Sequence, residues 1–136
     1  MALIGRGAAH VELGELAPGR ADLLEAEARL AGAGSTLYLP DLYRELAGAE
    51  LAAGNVQAAD EAVARSLQYA QAAAAIDQIA MTQRTQAQVE LARGNVGRAH
   101  ELLTASLQAL REIGDIGESA RTESVLQTLE SASPQA

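Results

Sequence analysis

A stretch of this chain comes back forty residues on. Ala49-Glu50-Leu51-Ala52-Ala53-Gly54-Asn55-Val56 reappears as Val89-Glu90-Leu91-Ala92-Arg93-Gly94-Asn95-Val96. The likeness continues, with Ala59 answering Ala99 and Ser66-Leu67-Gln68 answering Ser106-Leu107-Gln108. A weaker copy lies upstream, where Val11-Glu12-Leu13 precedes Ala21. Extended backward, the copies share the pattern R-x-x-A-x-[AV]-E-L, starting at Arg6, Arg44 and Arg84, and a partial fourth begins at Arg121. Self-similarity at such a period marks a stack of supersecondary units, each burying its apolar face against the next.

The unit is helical. Apolar and small residues fall at three- and four-residue steps through Val56, Ala59, Val63, Ser66, Leu67 and Ala70, and again through Val96, Ala99, Leu103, Ser106, Leu107 and Leu110. Alanine contributes 31 residues and the aromatics are limited to Tyr38, Tyr43 and Tyr69, a composition that favours close helix packing over sheet. Gly54-Asn55 and Gly94-Asn95 read as helix stops, with Pro18-Gly19 expected to do the same in the first copy. Gly32 to Thr36 reads as a flexible link, and Pro40 suits the first turn of the next helix. Helices are predicted near 3–16, 20–32, 40–53, 57–75, 77–93, 97–112 and 117–131. The expected fold is all-α: antiparallel helix-hairpin repeats with a C-terminal capping helix, in one domain over 1–131, with 132–136 a frayed tail.

Several classes are disfavoured. The net charge of −8 is spread along the chain and repels nucleic acid and anionic membranes. The absence of cysteine excludes disulfides and thiolate chemistry. The longest apolar run, Ala72 to Ile76, is too short to span a bilayer, and Met1 to Gly7 lacks the apolar core of a signal peptide, so the cytoplasm is the expected location. Gly32-Ala33-Gly34 lacks the lysine of a phosphate-binding loop, His10 and His100 occupy different repeat positions, and neighbouring acids such as Glu25 with Glu27 diverge on a helix. No cofactor, metal or catalytic role is expected.

Leu46, Ala47, Gly54, Ala59 and Leu67, with Ala87, Gly94, Ala99 and Leu107, resemble the tetratricopeptide pattern of small residues and a glycine before the second helix. The period is nearer 40 than 34, and no proline closes a repeat. Leu42-Tyr43-Arg44, Arg93-Gly94-Asn95 and Ala99-His100-Glu101-Leu102-Leu103 are similar to the extended repeats ending bacterial LuxR-type and maltose-type activators and cyclase-associated signalling ATPases. That resemblance implies a repeat solenoid that binds a partner or an inducer and regulates an attached unit.

The recurrence of Glu12, Glu50 and Glu90 with Arg6, Arg44 and Arg84 is the sharpest candidate for a site. Two readings stand. Each arginine pairs with an acid and fixes the stacking, or Arg6, Arg44 and Arg84, with Gln88, Asp41 and Met81 nearby, line a groove that receives an acidic or carboxylate-ended protein segment. By analogy, tetratricopeptide domains line their concave groove with first helices. The tyrosines read as packing residues. The expected function is a protein-interaction module; the alternatives are a small-molecule sensor and a self-associating structural piece that forms a homodimer.

Overall fold

A computed structural model describes residues 1–132, all of whose regular structure is helical. The elements are α1 (Ala2–Glu12), α2 (Leu16–Ala33), α3 (Leu39–Ala52), α4 (Val56–Ala72), α5 (Ile76–Ala92), α6 (Val96–Glu112) and α7 (Ile116–Ala132). The expected tail beyond Ala132 lies outside the described residues.

The helices pair as hairpins α1–α2, α3–α4 and α5–α6, and α7 packs on α6. The odd-numbered helices also touch one another, α1 against α3 and α3 against α5, while α2 and α4 bridge successive odd helices from behind. The result is two layers, with α1, α3 and α5 forming one continuous face. Leu23, Leu42, Val63 and Val89 fill the core through the first five helices, and Leu102 and Leu103 with Leu129 fill it at the C-terminal end. Alanines such as Ala26, Ala47, Ala59, Ala87 and Ala99 are fully buried between these larger side chains, which lets the helices approach closely.

Positive φ angles recur at twenty-residue steps: Gly14, Gly34, Gly54, Ala74, Gly94 and Gly114. Each closes a helix in the same way. At Gly54 the N–H of Asn55 donates to the Glu50 carbonyl at 2.8 Å, and the N–H of Gly54 donates to Leu51 at 3.0 Å, the double bond of a Schellman turn. The first turn is therefore made by Gly14. Pro18 and Gly19, expected to break the chain, lie inside the first turn of α2, where a proline needs no N–H partner. Gly32 and Ala33, expected in a flexible link, are the last turn of α2, capped by left-handed Gly34.

Gly19 has another use. A Cβ there would meet the Gly7 carbonyl oxygen at 2.9 Å and Val11 at 2.8 Å, so α1 and α2 cross backbone to backbone. At Ala74 the twenty-residue rule is broken chemically, because an L side chain at φ 51° is disfavoured by roughly 1–2 kcal/mol. After allowing for the greater freedom of glycine in the unfolded chain, Ala74→Gly should stabilise the fold by about 0.5–1 kcal/mol. Thermal melts should show a rise of a few degrees; an unchanged or lower midpoint would contradict the turn geometry.

Candidate functional site

The repeated arginines occupy one register of the odd-numbered helices but meet different surroundings. Arg44 is buried. It donates to the Gln78 side-chain oxygen on α5 at 2.5 Å and ion-pairs with Asp41 on its own helix. Arg84 repeats this one hairpin later, with Nη1 2.7 Å from Glu118 Oε2 on α7 and 3.1 Å from the Thr122 hydroxyl. Gln78 and Glu118 each stand 34 positions beyond their arginine, so both guanidinium groups reach to the same point on the next odd helix. Arg6 does not. The matching position is Pro40, which has no side-chain acceptor, and Arg6 turns to Asp22 on α2 through two hydrogen bonds of 2.8 and 2.7 Å. Those hydrogen bonds hold the Asp22 carboxyl below its ordinary range. Arg121 remains exposed, 3.5 Å from Glu118.

Two of the recurring glutamates, Glu50 and Glu90, serve the turns, and Glu12 does not. Glu50 receives Arg20 of α2 at 2.6 Å and the side-chain amide of Asn55 at 2.9 Å; Glu90 receives Asn95 at 2.7 Å. Each thereby ties the end of an odd helix to the turn that follows. Arg20 and then Asn55 draw the Glu50 carboxyl below its usual range, against the effect of its burial. Two serines were not singled out as polar anchors by sequence reasoning, although their recurrence was visible. Buried Ser66 donates to the Pro40 carbonyl at 2.8 Å and meets the Thr82 hydroxyl at 2.8 Å, joining α3, α4 and α5. Ser106 donates to the Ala80 carbonyl at 2.6 Å in the equivalent place.

On the face built by the odd helices, Asp41, Arg44, Glu45 and Gly48 form one stripe of α3, and Met81, Arg84 and Gln88 answer it on α5. Gln88 is exposed and Asp41 and Met81 are half-buried. Glu45 stands out here. It is half-buried and makes no hydrogen bond or ion pair among the described residues. Burial pushes its carboxyl above the ordinary range; Arg44 and Arg84 oppose that shift, and Asp41 and Glu12 add to it.

Every one of the ten arginines lies within 4 Å of a carboxylate oxygen, and the chain has no lysine. Glu25 and Glu27 diverge to Arg29 and Arg65. His10 lies 3.4 Å from Glu15, and His100 lies 3.3 Å from Glu130. Tyr43 stacks on Tyr69 with ring centroids 6.0 Å apart, and the Arg65 guanidinium sits 5.6 Å from the Tyr43 centroid; Tyr38 is part-exposed. Among the described residues no three His, Cys, Asp or Glu side chains converge as a metal site would require, and no helix is long and apolar enough to cross a membrane. No family model, curated protein or solved structure matches the chain.

The two glutamates on α3 should behave oppositely. The raised pKa of Glu45 means its contribution to stability is greatest in acid and is lost as pH rises through that value, so its charge disfavours the fold at neutral pH. The lowered pKa of Glu50 means the reverse: its contribution is present above the ordinary carboxylate range and is lost as pH falls through the depressed value. Melting curves across pH should therefore show Glu45→Gln stabilising and Glu50→Gln destabilising at neutrality, with both differences shrinking in acid. A neutral-pH loss in Glu45→Gln would contradict this assignment.

Proposed function

We propose that this chain is a non-catalytic protein-interaction module of the extended tetratricopeptide-like kind, taking a peptide or helix on the face of α1, α3 and α5. The observation that carries the reading is Glu45. Its carboxylate is half-buried on that face, has no hydrogen-bond donor from the chain, and is held above the ordinary range first by burial, so a donor brought by a ligand would replace water there and stabilise its charge. Exposed Gln88 and open Gly48, against which a Cβ would meet nothing within 4 Å, leave room for that ligand.

The polarity of the ligand follows from the ion pairs. A groove of free arginines would take an acidic segment. Arg44 and Arg84 are already engaged by Asp41, Gln78 and Glu118, which favours their role in stacking. The groups left for a partner are Glu12 and Glu45, which call for lysine, arginine or amide side chains. The module would regulate or recruit through binding, in the manner of repeats attached to larger bacterial regulators.

Selection from a random-peptide display library tests this. Wild-type protein should enrich peptides carrying a basic or amide residue, and the folded Glu45→Ala variant should bind them about tenfold less tightly. Enrichment of acidic peptides, or equal affinity in the variant, would overturn the proposal.

A further inference from the structure

The turns that join one hairpin to the next, α2 to α3, α4 to α5 and α6 to α7, lie along a single edge of the stack. Two clefts run along it. The first, of about 610 Å³, lies between Leu37 and Tyr38 on one side and Ala73, Ala75 and Asp77 on the other. The second is a shallow, nearly flat depression that continues from Ala75 and Asp77 to Ile113 and Ile116. Ala75 and Asp77 line both, so the two form one trough across three turns.

Aliphatic side chains stand exposed along both. Leu37 is 74% exposed, Ile76 55% and Ile116 84%. Isolated exposed aliphatics are ordinary, but three on successive turns of one trough form a patch of the kind that marks an interaction site. Beside them stand Asp77 and Asp115, neither paired with an arginine; Asp115 accepts only a backbone N–H, from Glu118 at 3.0 Å.

We infer that this edge docks a basic amphipathic segment of another protein, whose aliphatic side chains enter the trough while lysines or arginines meet Asp77 and Asp115. Charge decides between occupants. A second copy of this chain would bring its own aspartates to the trough and has no lysine and no arginine without a carboxylate of its own already within 4 Å to offset them. Like charges facing one another across a partly desolvated interface oppose self-association. A cationic segment meets no such opposition. This surface is separate from the α1–α3–α5 face and does not depend on it.

The probe is a fluorescent helix-forming peptide with leucines on one face and lysines on the other, titrated by anisotropy at low and high salt. Two controls accompany it: a scrambled peptide of the same composition, and a leucine–glutamate counterpart. The full chain should bind the leucine–lysine peptide, more weakly as salt rises, and should bind both controls at least about tenfold less tightly. Ile76→Ser with Ile116→Ser, both at exposed positions that leave the core intact, should weaken binding by about tenfold or more, and Asp77→Asn should reduce its salt dependence. Affinity lost in Glu45→Gln but kept in the double serine variant would place the peptide on the α1–α3–α5 face and overturn the inference, which separates failure here from failure of the groove. Equal binding of either control, or full affinity in the double serine variant, overturns the inference. So does a homodimer in light scattering that the serine substitutions dissolve.

Discussion

The stack depends on one reach, from a guanidinium on an odd-numbered helix to a polar acceptor 34 positions further on the next odd helix. Arg44 makes it to Gln78 and Arg84 makes it to Glu118. Small buried side chains can slide past one another with little penalty, so an alanine-rich core alone leaves the offset between hairpins loosely specified. A buried charge cannot slide. Removing its acceptor leaves an unsatisfied cation, a defect of several kcal/mol, and that asymmetry fixes register. Ser66 and Ser106 add a second constraint from behind, pinning even helices to carbonyls of the odd ones.

The first hairpin is the exception that clarifies the rule. Pro40 stands where Arg6 would need an acceptor, and Ala26 stands where later repeats have serine. Arg6 accordingly folds back on Asp22, and α1 and α2 are held by the close crossing at Gly7 and Gly19. The terminal hairpin thus replaces the odd-helix reach with contacts within itself, and its polar tie to the neighbour runs from α2, through Arg20 to Glu50.

Much of this was legible in the sequence, because a period leaves the same mark in residues and in space. The helix-hairpin architecture and most helix limits follow from the recurrence of Gly54-Asn55-Val56 at Gly94. The first copy misleads where Pro18-Gly19 resembles a stop; an N-terminal first turn tolerates proline, and the true turn is Gly14 with no asparagine after it. The α4–α5 turn carries alanine at its left-handed position, so no glycine announces it. The recurrence of arginine was visible, but not its direction. Gln78, Glu118 and Asp22 lie 16 to 34 positions away, and their selection depends on helix rotation that periodicity does not encode. Glu45 was hidden for the same reason: its neighbours are charges from three helices.

Electrostatics then shapes what the molecule offers outward. Because each arginine already lies beside a carboxylate of the same chain, the surplus negative charge is carried by acids with no cationic partner, among them Glu45 on the odd-helix face and Asp77 at the inter-repeat edge. The same pairing that sets register therefore sets the sign of what can bind.

The most direct measurement is a double-mutant cycle on Arg84 and Glu118 by chemical denaturation. If this pair fixes α7 against α5, each single alanine variant should lose about 2 kcal/mol or more, and the double variant should lose much less than their sum, a coupling of at least about 1 kcal/mol. Additive losses, or single variants as stable as the parent, would contradict the clamp and with it the account of how the repeats find their register.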